Sequence, residues 1–387
     1  MAIPWSTVFR TTKPYGGTTA SPANWTTPPR TARKFSAPRL KPSRSLRPTT
    51  RRWFIRAVRL WPQAPSAINK QPLPVEELCL QTLEIRPVMD AELIVDAQNA
   101  TGESPVWSAR DQALYWVDIP KGTLQRWSFA DGSIRTWKAP QMLACIAADS
   151  RGGWIAGMED GIYHLQPIED GNQKNGSLIS TLLASVEHAQ TGMRFNDGRC
   201  DRQGRFWAGT MLMDMAAGAV VGAMYRYSAG QKTLDAHLKD FIVPNGLAFS
   251  PDGKTMYLSD SHPSVQKIWA FDYDTDSGTP HNRRLFVDMN HHLGRPDGAA
   301  IDTDGCYWIC GNDAGLIHRF TPNGKLDRSL VVPVRKPAMC AFGGPDLETL
   351  FVTSIRPGGD ISDQPFAGGL FALRPGVKGL AEPVFQG

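Results

Sequence analysis

Glu103, Asn196, Asn245 and Asp297 each stand a similar distance ahead of an aromatic-centred apolar segment, with Trp116, Trp207, Tyr257 and Trp308 following after 13, 11, 12 and 11 residues. Met142 and Met339 hold the corresponding places ahead of Trp154 and Phe351. Four of these six positions carry oxygen, and two of the four are carboxylates. If the fold brings them to one axis, two carboxylates and an amide oxygen make a hard site. Such a site suits Ca²⁺, Mg²⁺ or Mn²⁺, although Zn²⁺ also accepts carboxylate oxygen. Three protein donors leave positions open for water and substrate, whereas a purely structural Ca²⁺ recruits more protein ligands.

Pro-Asn-Gly and Pro-Asp-Gly are also ordinary turn signals, and the chain supplies its own controls. Asp252, in Pro251-Asp252-Gly253, lies five residues before Tyr257 and reads as a hairpin turn. Asn323, in Pro322-Asn323-Gly324, follows an outer strand and leads into Lys325. Asn245 and Asp297 fall farther upstream, at the inner-strand position, and read as functional. His188, His262, His291 and His292 are irregularly spaced in loops and offer no competing cluster. No Gly-x-Ser-x-Gly elbow or Gly-rich phosphate loop supports nucleophilic or nucleotide chemistry. The six cysteines, without a Cys-x-x-Cys, read as reduced thiols of a cytoplasmic protein.

The elements that must position these residues follow from a repeat. Turn residues followed by an aromatic-centred strand recur around Trp116, Trp154, Trp207, Tyr257, Trp308 and Phe351, at intervals of 38, 53, 50, 51 and 43 residues. Each is followed by a second alternating segment, as in Leu124–Phe129 and Ile268–Tyr273. Units of about 40–50 residues match four-stranded propeller blades. The spacing therefore predicts an all-β, six-bladed β-propeller with a central metal site over residues 89–387. Radial repetition leaves only short, protected strand edges. The aromatic anchors are expected to pack between blades.

Charge divides the chain. The formal net charge is +5, yet residues 1–75 hold 14 Lys/Arg, no Asp or Glu, and 12 of the 30 prolines. Residues 1–88 read as a basic, Pro/Ser/Arg-rich disordered extension, from either a misplaced start ahead of Met89 or a transit-like leader. Its apolar patch, Trp53–Trp61, is short and broken by arginines, which argues against a secretory signal. No aromatic platform or folded module supports a nucleic-acid partner. No apolar run approaches the ~20 residues of a membrane-spanning helix.

The ordered motifs Gly-Glu103-Ser-Pro-Val-Trp, Arg194-Phe-Asn196-Asp-Gly, Gly-Arg-Phe-Trp-Ala-Gly-Thr-Met211, Pro-Asn245-Gly-Leu and Pro-Asp297-Gly together resemble the SMP-30/gluconolactonase/luciferin-regenerating family. The resemblance runs along residues 90–387. It implies a six-bladed propeller with one divalent cation, Ca²⁺ foremost, held by Glu103, Asn245 and Asp297. It further implies substrate contacts from Arg194 and Asn196, with Asp214 binding sugar hydroxyls. The implied activity is hydrolysis of a small sugar-derived lactone to its aldonic acid by a monomer or weak homo-oligomer, with Asp297 doubling as general base. Two other readings stay open: a regucalcin-like calcium-binding regulator and an arylesterase-like hydrolase.

Overall fold

The computed structural model describes residues 91–168 and 175–387. The extension assigned to 1–88 and Cys79 lie outside the described residues. Among the described residues, twenty-four strands form five sheets in an all-β, propeller-like fold. Three sheets are sequential meanders of four strands. The first holds Met193–Cys200, Phe206–Leu212, Gly222–Tyr227 and Ala236–Phe241. The second holds Pro244–Phe249, Thr255–Asp260, Lys267–Asp274 and Thr279–Asp288; the third, Arg295–Ile301, Tyr307–Asn312, Leu316–Phe320 and Leu326–Val331.

The fourth sheet joins the two ends of the fold. Pro337–Gly343, Thr349–Ser354 and Leu370–Leu373 are completed by Glu92–Val95, which pairs antiparallel with Leu370–Leu373. An edge left bare by the last repeat is thereby covered by the first described strand.

The fifth sheet departs from the expectation of six separate units. It has eight strands, ordered Gly102–Ser108, Ala113–Asp118, Thr123–Ser128, Ile134–Lys138, Asn175–Ser185, Gly161–Pro167, Trp154–Gly157 and Cys145–Ala148. Its one parallel pairing sets Thr136–Lys138 against Asn175–Ser177, and on either side the pairing is antiparallel over four strands. Two outer strands meet edge to edge, so backbone groups that would otherwise face water pair with each other.

The aromatic anchors form the core as expected. Trp116, Trp207 and Trp308 are fully buried, and Trp154, Tyr257 and Phe351 nearly so. Each lies on the second strand of its four-strand run, where a large ring can fill the space against a neighbouring run. The indoles of Trp207 and Trp308 also find acceptors, the Tyr273 hydroxyl at 2.9 Å and Asp302 Oδ2 at 2.9 Å.

The first strands of the runs carry the feature that aims the site. Register breaks fall between Glu103 and Val106, Phe195 and Gly198, Asn245 and Ala248, Pro296 and Ala299, and Pro337 and Cys340. A bulge of this kind turns a side chain out of the regular in-and-out alternation, a device common beside functional sites. Cys145–Ala148 pairs without a break, and Met142 lies in the loop before it. Met142 is therefore not equivalent to the other five positions, because this short strand starts too late to include it.

The glycines that make Asn-Gly and Asp-Gly look like turns serve these bulges. Gly246 has φ 61°, and a Cβ there would meet the Tyr307 hydroxyl oxygen at 2.5 Å. A Cβ on Gly298 would meet Met339 Cβ at 2.3 Å. The controls Asp252 and Asn323 sit exposed in tight turns between strands.

Candidate metal centre

Hydrogen bonds and electrostatics link five of the six residues singled out from the sequence. Arg194 donates from Nη1 to Asn196 Oδ1 at 3.0 Å and to the Phe195 carbonyl at 2.6 Å. Asn196 donates from Nδ2 to Asn245 Oδ1 and to the Pro244 carbonyl, both at 3.1 Å. The Asn196 amide is thus engaged at both ends, and it orients Asn245 from the neighbouring sheet. Glu103 feels the charges of Asp297 and Arg194. Asn196, Asn245 and Asp297 are buried, and Glu103 and Arg194 partly so.

Asp214 stands apart. It lies exposed just after the strand Phe206–Leu212, at the start of the short 3₁₀ turn Met215–Ala217, and its side chain does not cap that turn.

Burial dominates the electrostatics. It pushes the Glu103 carboxyl well above its ordinary range, and the nearby Asp297 and Asp197 charges push it farther. Burial likewise raises Asp297 to about 7, against the opposing pull of Arg295 and the Asn312 hydrogen bond. Desolvation lowers the Arg194 guanidinium to about 10. Ser104, Ile146, Gly198, Met339 and Glu382 border a void of about 10 Å³, roughly the room one water needs. Arg199 helps close it by an ion pair to Glu382 at 3.1 Å and a hydrogen bond to the Ala299 carbonyl at 2.5 Å.

Sequence reasoning missed Asp197, Asn312 and Arg295. Asp197 is buried beside Asn196; its Oδ2 accepts the Leu247 N–H at 2.9 Å, while its Oδ1 has no hydrogen-bond partner among the described residues. Its place within Asn-Asp-Gly, on a bulge, was the available signal. Asn312 donates from Nδ2 to Asp297 Oδ2 at 2.6 Å. Its position at the end of an anchor strand, where Asp118 and Asp260 stand in other runs, was visible as a repeat position but silent as to direction.

Among the described residues, no group of three or more His, Cys, Asp and Glu is arranged to hold a metal ion. The set here has two carboxylates, and its third member is an amide oxygen. Its chemistry fits a hard divalent cation. Two buried carboxyls disfavour each other's ionisation, and a cation between them would relieve that cost. Glu103, Asn245 and Asp297 are the residues that would hold it, all three of them oxygen donors.

Comparison with known proteins gives the same family that the motifs suggested. A 6-deoxy-6-sulfogluconolactonase of Pseudomonas putida is 39% identical over 297 residues, covering 76% of this chain and 98% of the relative. A regucalcin of Danio rerio is 32% identical over 301 residues, covering 76% and 98%. Among solved structures, a luciferin-regenerating enzyme superposes with a TM-score of 0.70 at 27% identity, over 77% of this chain and 99% of that one. A calcium-binding regucalcin from Agrobacterium tumefaciens superposes with a TM-score of 0.69 at 27% identity, over 77% and 98%. The SMP-30/gluconolactonase/LRE-like family model matches residues 101–356, a span that contains the whole linked set from Glu103 to Asp297. The chain belongs to the SMP-30/gluconolactonase/LRE-like family.

Proposed function

We propose that the protein is a divalent-cation-dependent hydrolase that opens a sugar-derived lactone to its aldonic acid. The observation that carries this reading is the hydrogen-bonded set Arg194–Asn196–Asn245, which spans two sheets, with Glu103 and Asp297 supplied from two further sheets and the Asp297 charge acting on Glu103. Glu103, Asn245 and Asp297 would hold the cation, with Ca²⁺ the first candidate and Zn²⁺, Mn²⁺ or Mg²⁺ the others. When bound, such an ion supplies Lewis-acid polarisation of a carbonyl and a lowered pKa for water. The family relationship and the Pseudomonas putida relative support the lactone as substrate class. The fold is read as six-bladed by counting the eight-stranded sheet as two blades, divided at its parallel pairing. Residues 89–387 then form the functional unit, and a cytoplasmic location accords with the free, buried cysteines among the described residues.

The chain's own residues divide the work. As water attacks the lactone carbonyl, Asp297 takes its proton; as the ring C–O bond breaks, the same proton passes to the departing alkoxide oxygen. Arg194, with N–H groups beyond those it spends on Asn196 and Phe195, orients the substrate's oxygens. Asn196 spends both amide hydrogens on Asn245 and Pro244, so its first role is to hold Asn245, and it meets a substrate hydroxyl only through the second lone pair of Oδ1. Asp214 reaches sugar hydroxyls from the exposed loop.

The test is removal of metal by chelation, followed by assay of an aldonolactone panel with Ca²⁺, Mn²⁺ and Zn²⁺ returned singly. Loss of turnover on chelation, and its recovery with at least one ion, is expected. Absence of lactone turnover with every ion, or undiminished turnover in Asp297→Ala, overturns the reading. Tight Ca²⁺ binding without turnover would favour the calcium-binding regulator instead.

A further inference from the structure

The end of each anchor strand faces the start of its run's first strand. Asp118 pairs in register with Gly102, Asp260 with Pro244, Asn312 with Arg295 and Ser354 with Pro337. Asp118 accepts the backbone N–H groups of Ala100 and Thr101 at 3.0 and 3.1 Å. Asp260 does the same for Ile242 and Val243 at 2.7 and 3.1 Å. These carboxylates clasp the chain entering the first strand, which is a structural task. Asn312, in the equivalent place, points its donor at Asp297 instead.

We propose that Asn312 is the positioning residue for Asp297, and that Arg295 sets the direction of the Asn312 amide. The inference rests on Asp297 belonging to the cation site proposed above. Asn312 is buried, and its Nδ2 donates to Asp297 Oδ2 at 2.6 Å and to the Pro337 carbonyl at 3.4 Å. Its Oδ1 accepts from Arg295 Nη2 at 3.4 Å. A guanidinium has donors only, while a carboxylate and a carbonyl accept, so this amide has one favourable orientation. Reversing it would set two donors against each other and oxygen against two acceptors.

Arg295 is itself held. It donates to Asp313 Oδ2 at 2.6 Å and to the Ser261 carbonyl at 3.1 Å, and Lys336 shares the Asp313 carboxylate. The line Asp313–Arg295–Asn312–Asp297 therefore runs from a partly exposed ion pair to a buried carboxylate. It fixes the rotation of the Asp297 carboxylate, with Oδ2 tethered and Oδ1 presented. An aspartate at 312, the type used at 118 and 260, would bring a further negative charge against Asp297 and could not donate when ionised.

The experiment uses the full chain and three variants: Asn312→Leu, which keeps the branched shape and deletes all three side-chain bonds; Arg295→Met, which removes the donor that directs the amide together with the Asp313 and Ser261 bonds; and Asp297→Ala as reference. Mn²⁺ affinity, read from the EPR signal of the free ion, is expected to fall about 10–100-fold in Asn312→Leu, the usual effect of losing a partner behind a ligand. A smaller drop in the same direction is expected in Arg295→Met. Crystals of cation-free Asn312→Leu should show the Asp297 carboxylate turned from its present orientation. Affinity within twofold of the unsubstituted chain, where Asp297→Ala abolishes binding, overturns the proposal. So does an unmoved Asp297 carboxylate in the variant crystal. If the unsubstituted chain takes up no Mn²⁺, the cation reading fails by itself, and the crystal decides the positioning role. Should Asn312→Leu not fold, Arg295→Met carries both measurements.

Discussion

The runs that build this fold carry carboxylates at the hairpin between their first two strands and on the bulges of their first strands, and the two places treat them differently. At the hairpin end, Asp302 is fully buried yet accepts from the backbone of Asp304 and Cys306, from Trp308 Nε1 and from Arg319 Nε. Asp201 is likewise buried and accepts from Gln203 N, Arg205 N, Arg205 Nε and the Tyr273 hydroxyl. On the bulges, among the described residues, Glu103 receives a single long hydrogen bond, from the Ser104 N–H at 3.4 Å, and Asp297 receives the Asn312 amide. Both are pushed up in pKa by burial. Burial alone does not mark a site; burial with donors withheld does, because the missing compensation is what a cation or a proton can supply.

Exchanging the roles of the two places should break this contrast. The largest effect is expected from Asp297→Ala, which should lower lactone turnover by about 10³-fold or more while the chain stays folded, as steady-state kinetics and circular dichroism together would register. Asp302→Ala should do the reverse. It leaves Arg319 buried with only Asp304 and Asp327, so a loss of about 3 kcal/mol in urea unfolding is expected, with Mn²⁺ affinity of the folded fraction unchanged. An equal loss of stability in both variants would erase the distinction.

The pH dependence of the chelated protein sharpens it. Asp297 titrates near the ordinary carboxylate value when unfolded and at about 7 when folded. Its contribution to stability is therefore fully present below pH ~4 and is lost as pH rises through about 7, because the folded state holds the proton longer. Chelated protein should melt at a lower temperature at pH 8 than at pH 5, and Asp297→Asn should shrink that difference. A variant with the parent's slope would show that other groups govern it. The smallest effect is expected at Asp214. Asp214→Asn, on an exposed loop, should change stability by no more than about 0.5 kcal/mol and raise KM without lowering kcat. A fall in kcat there would draw the loop into the chemistry.

Much of this was legible because repetition is local. An aromatic anchor, a turn and an oxygen side chain 11 to 13 residues upstream can be counted without knowing what they touch. Counting failed where strands vary in length. Met142 has the right interval to Trp154 but precedes its strand, and the number of separate sheets was missed because edge pairing between Ile134–Lys138 and Asn175–Ser185 leaves no trace in spacing. Asp197 and Asn312 escaped for another reason: their importance lies in the direction of a hydrogen bond, and residue type alone does not state that direction.

The residue types by themselves determined an all-β chain whose inner positions carry hard oxygen donors, since alternation, turn chemistry and donor softness are properties of short segments. Only the tertiary structure decided which of those oxygens are left short of donors. That depends on bulges at Glu103, Asn245 and Asp297 and on Glu92–Val95 closing against Leu370–Leu373. Desolvation is a sum over neighbours distant in the chain, and it exists only once they have met.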